Sequence, residues 1–534
     1  MSRLLVSFAA RLLSAALIVA VAVTAAPTAG RAAGGCSSMA RPQVPGARIL
    51  SVTAVSRPGG TYPFVPAPGR PTTISVPALC DVTVILTHPS IGDRVRVQMW
   101  LPQVSWNGRF QAIGGGAFAA GEFARDFAPA VRKGYAAAST DAGVPTRRSG
   151  PPTWALHHDG TINAELLTNF ASRSVHEMSQ IGEQVTTHFY DRPAAYSYFN
   201  GCSTGGRQGL MEAQRYPADF DGILAAAPAI SWDRLSVAQL WPQVVMNQTR
   251  TYPTTCEFDT FNRAAIAACD GDDGVADGII ARPEACGFDP HQLVGRTLTC
   301  HGRKVSISQA DADVVRGIWD GPRTTSGEQL WHGLLPGTPF SWLAATVNPP
   351  LRPRHGAPFA VAQDWIRYFV QQQPGFDTST VGYSEFERLF RQSHARYSRV
   401  IGTDDPDLSS FRVAGGKMIT WHGLADQVIF PQGTVDYRRR VEGAMGGPQA
   451  TDQFYRVFLA PAAGHCSGGT GPTPTDPLAA LVAWVEHGHA PDTLPVATTN
   501  AHRRKVTSNL CRYPQTAHFP TPGTAPSPST PDCS

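Results

Sequence analysis

Asn200-Gly201-Cys202-Ser203-Thr204-Gly205-Gly206-Arg207 decides how the rest of this chain reads. Ala195 to Phe199, just before it, is aromatic and has strand character. Gln208 to Arg215, just after it, reads as a helix. Gly201-x-Ser203-x-Gly205 between a strand and a helix is the pattern of a nucleophile elbow. Its two glycines let the backbone turn sharply enough to push a serine hydroxyl out of the turn. By itself the pattern also fits an ordinary Gly/Ser turn, so the partners that a reactive serine needs must decide.

Those partners are a base and an orienting acid, which in this kind of fold follow in the order Ser, Asp, His. Asp426 stands just after the strand-like run ending at Trp421, and His465 just after the run ending at Leu459. Catalytic groups of an open parallel sheet collect at such C-terminal strand ends. His422 lies too near Asp426 to fit that order, and His487 falls on or after a helix. Gly114-Gly115-Gly116 follows another strand-like run, where glycines let backbone N–H groups face a ligand. The expected oxyanion donors are the Thr204 N–H and one N–H from Gly115 or Gly116. Cys202 directly precedes Ser203, and Cys466 directly follows His465. If Ser203 and His465 meet, a Cys202–Cys466 disulfide would tie the two loops together.

Outward from the elbow, Ile49 to Val55, Asp81 to Thr87 and Val95 to Leu101 alternate and are β-branched, as strands do. Gln111 to Ile113, Gly134 to Thr140, Gly222 to Ala227, Lys417 to Trp421 and Phe454 to Leu459 are further strands. Helical patterns at Asn169 to Tyr190 and Pro477 to His487 alternate with them, which indicates a parallel α/β sheet. The first helix carries His176 and Glu177 but no second His at the spacing of a zinc helix, so it reads as structural. Residues 229–410 break the alternation with Pro, Gly, Trp and polar turns and read as an inserted domain. The core is therefore split into residues 34–228 and 411–534.

The N-terminus reads as a secretory signal over residues 1–33, with Arg3 and Arg11 before an apolar run and small residues after it. Leu12 to Val23 is shorter than the ~20 residues a membrane span needs. Cleavage is expected between Ala25 and Ala33. The net charge of +4 is small and no polybasic run appears, so neither nucleic acid nor an anionic membrane is indicated as a partner. Ten cysteines without any C-x-x-C favour disulfides in an exported chain. The tail from Pro514 is rich in Pro, Thr and Ser, and Cys533 suggests it is pinned back.

Within the insertion, Asp270, Asp272, Asp273 and Asp277 crowd a loop broken by Gly271, Gly274 and Gly278. Carboxylates so close repel one another unless a cation intervenes, and oxygen donors at tight turns suit calcium. The loop lacks the Glu at the twelfth position of an EF-hand, and a calcium ion here would be structural.

These motifs together resemble the tannase and feruloyl esterase family, which includes bacterial mono-(2-hydroxyethyl) terephthalate hydrolases. The resemblance rests on Trp106 to Phe110, Gly201 to Arg207, Cys269 to Ile280, Gly423 to Asp426 and Gly464 to Cys466, and it covers nearly all of the mature chain. It implies an α/β-hydrolase core with a large lid inserted after the strand ending near Ala227. It implies a Ser203–His465–Asp426 triad and the Cys202–Cys466 bridge. Calcium would be held by the side chains of Asp270, Asp273 and Asp277 with the Val275 and Ile279 carbonyls. The same resemblance pairs Cys36 with Cys80, Cys269 with Cys286 and Cys511 with Cys533, leaving Cys256 to Cys300. One departure is Asp141-Ala142-Gly143-Val144, where the family pattern has His after the glycine.

The function implied is hydrolysis of aromatic-acid esters such as those of ferulate and gallate, with a terephthalate-monoester hydrolase as the alternative. Phe340, Trp342, Trp365, Arg367, Tyr368 and Phe369 are the lid's candidates for an aromatic pocket, and Arg367 could pair with a substrate carboxylate. Two other readings use the same residues: a calcium-dependent binding protein with an idle triad, and a peptidase or transferase on the same core. The sequence leaves the oligomeric state open.

Overall fold

The computed structural model describes residues 35–533 apart from 65–71, 122, 124–125, 146–149, 301, 350–352, 500–504 and 519–531. The expected signal segment lies outside the described residues.

Nine strands form the central sheet: β1 (Arg48–Arg57), β2 (Leu79–Thr87), β3 (Val95–Pro102), β4 (Arg109–Ile113), β5 (Ala136–Thr140), β6 (Tyr196–Cys202), β7 (Gly222–Ala226), β8 (Lys417–Gly423) and β9 (Tyr455–Ala460). Their spatial order is β1-β2-β3-β5-β4-β6-β7-β8-β9. The first three strands and the β3–β5 contact are antiparallel, and from β5 to β9 every neighbour is parallel. The parallel strands carry near-continuous apolar runs because both faces are covered by helices. All five residues of β5 and of β7 are buried.

Helices α1 (Phe127–Arg132), α2 (Ser174–Tyr190), α3 (Thr204–Arg215), α4 (Trp232–Ala238), α5 (Tyr383–Ile401), α6 (Pro431–Met445) and α7 (Pro477–His487) matter most for the site. Sequence periodicity places one helix over Asn169 to Tyr190. The structure divides it, with a wider π-type turn at Asn169–Arg173 before α2. His176 and Glu177 on α2 are structural: His176 Nδ1 pairs with Asp219 at 2.7 Å, and Glu177 with His88 Nε2 at 2.7 Å.

Between β7 and β8 the chain makes helices and two small hairpins, and none of its described residues joins the central sheet. The insertion does not bring a separate core. Its Trp232, Trp365, Phe369 and Phe386 pack in one apolar cluster with Phe118 and Phe170 before it and Val428 to Phe430 after it.

The ten cysteines form five disulfides: Cys36–Cys80, Cys202–Cys466, Cys256–Cys300, Cys269–Cys286 and Cys511–Cys533. The last holds the chain end to β-structure beside β9.

Candidate active site

Ser203 occupies the turn between β6 and α3 with φ 65° and ψ −121°. A non-glycine residue seldom adopts this conformation, and such strain concentrates at functional sites. Gly201 permits the turn, because a Cβ there would stand 2.5 Å from the carbonyl carbon of Gly205. The helix predicted from Gln208 begins earlier, at Thr204, directly behind the serine. Its first N–H groups have no partner within the helix, so the Thr204 N–H is free to meet a ligand.

Asp426 and His465 sit beyond the ends of β8 and β9, as their sequence positions suggest. His465 Nδ1 lies 2.8 Å from Asp426 Oδ2. Asp426 is buried, and its Oδ1 accepts from the Val428 and Ile429 N–H groups at 2.8 Å each. Burial alone would raise this carboxyl. The charge of His465 and the hydrogen bonds from His422 and His465 outweigh burial and hold it well below the usual range. The Cys202–Cys466 disulfide, with 5.9 Å between Cα atoms, joins the residue before Ser203 to the residue after His465. His465 Nε2 rests 3.6 Å from Cys466 Sγ, and among the described residues no hydrogen bond joins it to Ser203. Such bonds often tighten only when substrate is bound.

The glycine turn lies against the elbow. The Gly205 N–H donates to Gly115 O at 3.0 Å, and the Thr204 hydroxyl to Ala117 O at 2.7 Å. A Cβ on Gly115 would stand 2.0 Å from Ala119 O, so nothing larger fits. Of the two amides expected to receive an oxyanion, Gly115 N–H donates to Gln208 Oε1 and Gly116 N–H to Ala119 O, both at 3.0 Å. The Ala117 N–H, next in the chain, has no partner among the described residues, and Ala117 lines the cavity at φ 49°. Only the hydrogen bonds of the folded turn distinguish these three amides.

Ser203 and His465 open into a cavity of about 1010 Å³. Its lid-side wall is Ala229, Trp232, Leu235, Gln239, Trp342 and Phe359. Of the six lid residues singled out by composition, Trp342 alone lines it. Phe340, Trp365 and Phe369 are buried in the core instead, and Arg367 Nε donates to Phe376 O at 2.8 Å. Trp342 is 55% exposed and held at φ 79°, so its ring stands at the mouth of the cavity beside Phe359, 5.9 Å away. Leu235 and Gln239 went unread because α4 carries no motif, only a position next to the elbow's strand. Among the described residues no arginine lines the cavity, and Lys133 at the rim is paired with Asp476 at 2.6 Å.

Behind the serine, Arg207 on α3 is fully buried. Its guanidinium donates to Ala171 O at 2.8 Å and Phe170 O at 3.0 Å, which ties α3 to the turn before α2. Glu212, further along α3, is buried beside the Asp219 carboxylate. Burial first, then the charge of Asp219, pushes its carboxyl well above 4.5. The folded state therefore keeps this proton at a pH where the unfolded chain has lost it, and stability falls as pH rises above 4.5 through the folded value. Glu212→Gln should gain in melting temperature over the parent between about pH 5 and about pH 8. An equal difference at both ends would refute the assignment.

In the acidic loop, Asp270 Oδ1 accepts from the N–H groups of Asp277, Gly278 and Ile279 at 2.8 to 3.1 Å. Asp273 and Asp277 each accept from the backbone two residues on at 3.0 Å. Burial raises the Asp277 carboxyl, and the charges of Asp270 and Asp273 raise it further. Hard oxygen donors and mutual repulsion suit a divalent cation. Among the described residues, however, no three acidic, His or Cys side chains stand together as a ready metal cluster.

A mostly parallel sheet with a strained serine turn beyond β6 and a segment inserted between β7 and β8 defines an α/β-hydrolase. Residues 80–533 match the family model described as tannase and feruloyl esterase. The chain is 46% identical over 509 residues to a probable feruloyl esterase of Arthroderma benhamiae, covering 94% of each chain. It is 30% identical to feruloyl esterase C of Talaromyces stipitatus, covering 86% of each. Among solved structures, tannin acyl hydrolase of Aspergillus niger superposes with a TM-score of 0.83 at 27% identity, covering 92% of each chain. Feruloyl esterase B of Aspergillus oryzae gives 0.78 at 27% identity, covering 92% of this chain and 97% of that one. The protein belongs to the tannase and feruloyl esterase family and is a carboxylic ester hydrolase. Among the described residues no helix is long and apolar enough to cross a membrane.

Proposed function

We propose that this chain is an exported serine esterase that cleaves esters of aromatic acids through Ser203, His465 and Asp426. The observation that carries the reading is the 2.8 Å contact of His465 with buried Asp426, on a loop bonded through Cys466 to the residue before Ser203. His465 Nε2 takes the proton of Ser203 Oγ as that oxygen attacks the ester carbonyl carbon. The Thr204 N–H receives the oxyanion together with the Ala117 N–H, which has no partner among the described residues. Collapse of the tetrahedral intermediate breaks the bond to the alcohol oxygen, which takes the proton from His465 and leaves an acyl-Ser203. Water then gives a proton to His465 and attacks the acyl carbon. Ser203 departs with that proton, and the free acid is released.

The acyl preference rests on the relatives' names and on the aromatic wall of Trp232, Trp342 and Phe359. Methyl ferulate, methyl gallate and mono-(2-hydroxyethyl) terephthalate, offered to the parent and to Ser203→Ala, test it. Turnover should disappear in the variant. Terephthalate should rank last, because among the described residues no lining arginine meets its second carboxylate. Failure on all three esters would favour a non-aromatic acyl group or an idle triad. Trp342→Ala should raise KM for methyl ferulate about tenfold through loss of one aromatic contact, with kcat changed less than about threefold. An unchanged KM would exclude the ring from substrate binding.

Calcium binding is a separate proposal. Asp270, Asp273 and Asp277 with the Val275 and Ile279 carbonyls would hold the ion, whose charge offsets theirs and fastens the loop. Added Ca²⁺ should raise the melting temperature of the parent but not of Asp273→Asn. Equal responses would remove this loop as the site.

A further inference from the structure

His422 stands at the end of β8, four residues before Asp426, and is fully buried. Its sequence position makes it a rival base, and the structure gives it different neighbours. Nε2 lies 3.2 Å from Asp426 Oδ2 and 3.3 Å from Ile429 O. Both are acceptors, so Nε2 carries the hydrogen. Nδ1 lies 2.8 Å from the hydroxyl of Thr434 on α6, which can donate to it. A neutral imidazole protonated at Nε2 satisfies every contact, and neither nitrogen is left to act on Ser203.

We infer that His422 is a positioning residue of the esterase reaction: it donates a second hydrogen bond to the Asp426 oxygen that orients His465. This rests on the triad reading above. Asp426 then accepts four bonds, two on Oδ1 from Val428 and Ile429 and two on Oδ2 from His422 and His465. Two effects follow. The carboxylate plane is fixed from both ends, so Oδ2 cannot turn away from His465. The second donor also shares the negative charge of Oδ2, which tempers how strongly Asp426 holds His465 in its protonated form. The ionisable groups at this junction are few. The loop after β8 supplies Asp426, the loop after β9 supplies His465, and α6 faces them with the neutral Thr434. Gln427, which accepts from the His465 N–H at 3.3 Å, is neutral too.

The experiment compares His422→Phe, His422→Asn and His422→Gln with the parent on methyl ferulate across pH. Phe removes the donor. The shorter Asn cannot bring its amide to the place of Nε2, whereas Gln can. Loss of a hydrogen bond to a charged group should lower kcat roughly ten- to a hundredfold in Phe and Asn, with KM within about twofold. The acid limb of kcat/KM should move to higher pH by about half a unit to one unit, because Oδ2 is left with more charge for His465. The low-field proton resonance of the His465 Nδ1–H should shift with it. Gln should restore both the rate and the limb. If Phe does not fold, the Asn and Gln pair decides. Parent-like kcat and limb in Asn, or a Gln variant no better than Asn, would overturn the inference. Ser203→Ala in the same series separates the two failures: if its activity persists, the triad reading falls, and if it alone is inactive, only the role of His422 does.

Discussion

His465→Ala should lower kcat on methyl ferulate roughly 10⁴- to 10⁶-fold while KM stays within about threefold. Under the proposed mechanism the loss is large because four proton transfers pass through one imidazole: from Ser203, to the leaving alcohol, from water and back to Ser203. The small KM effect follows from the cavity, whose lid-side wall of Trp232, Leu235, Trp342 and Phe359 does not involve His465. The sharper part concerns the double variant. If Ser203 and His465 act as a unit, as proposed, Ser203→Ala with His465→Ala should be no slower than either single change. Multiplying losses would mean that the two residues serve separate reactions. Asp426→Asn should fall about 10⁴-fold, since an amide has one acceptor oxygen and cannot serve both the two histidines and the Val428 and Ile429 N–H groups as the carboxylate does. If His465→Ala kept more than about a hundredth of the parent rate, another base would have to be sought. His422 would not qualify, because both its nitrogens are engaged within the protein.

Much of this site is legible in the sequence because its parts are local. The elbow needs only two glycines and a serine between a strand and a helix, and the strand ends that carry Asp426 and His465 announce themselves by apolar runs. The helix Pro477–His487 begins at a proline and ends before a glycine, and its bounds are those of the sequence pattern. The pocket is a different matter. Phe340, Trp365 and Phe369 are as aromatic as Trp342, and only packing against Phe118, Phe170 and Trp232 turns them inward. The same holds for the oxyanion loop, where Gln208, five residues beyond the serine, reaches back to claim the Gly115 N–H. The role of His422 is hidden for a related reason. Its contact with Asp426 depends on a turn that brings Val428 and Ile429 to the other carboxylate oxygen. Long-range side-chain hydrogen bonds leave no periodic trace in a sequence.

Removing the Cys202–Cys466 bridge by changing both residues to alanine should lower kcat about a hundredfold at a temperature well below the melting point, as a displacement near 1 Å between reacting groups can do. The melting temperature should fall as well. The bridge spans 264 residues, including the whole insertion, and a chain-entropy bound for so long a loop is about 5.6 kcal/mol. Four other disulfides and a shared apolar core make the real loss smaller than that bound. The two losses have different origins, and the measurement can separate them. Stability depends on closing the loop anywhere near these positions. Under the proposed mechanism catalysis depends on where the bridge sits, one residue before Ser203 and one after His465. Other contacts hold the His465 loop itself, among them the Ala425 N–H on Ala463 O at 3.0 Å, the His465 side chain on Asp426 and its N–H on Gln427 Oε1 at 3.3 Å, but none of them reaches Ser203. Without the bridge, Asp426 can still orient the imidazole, but nothing covalent sets its distance from Ser203. A variant that melts earlier yet keeps the parent kcat would make the disulfide a staple alone, and alignment of Ser203 and His465 would then fall to the packing of their loops. A variant with both losses, whose rate is not recovered by adding calcium or lowering temperature, would assign that alignment to the bridge.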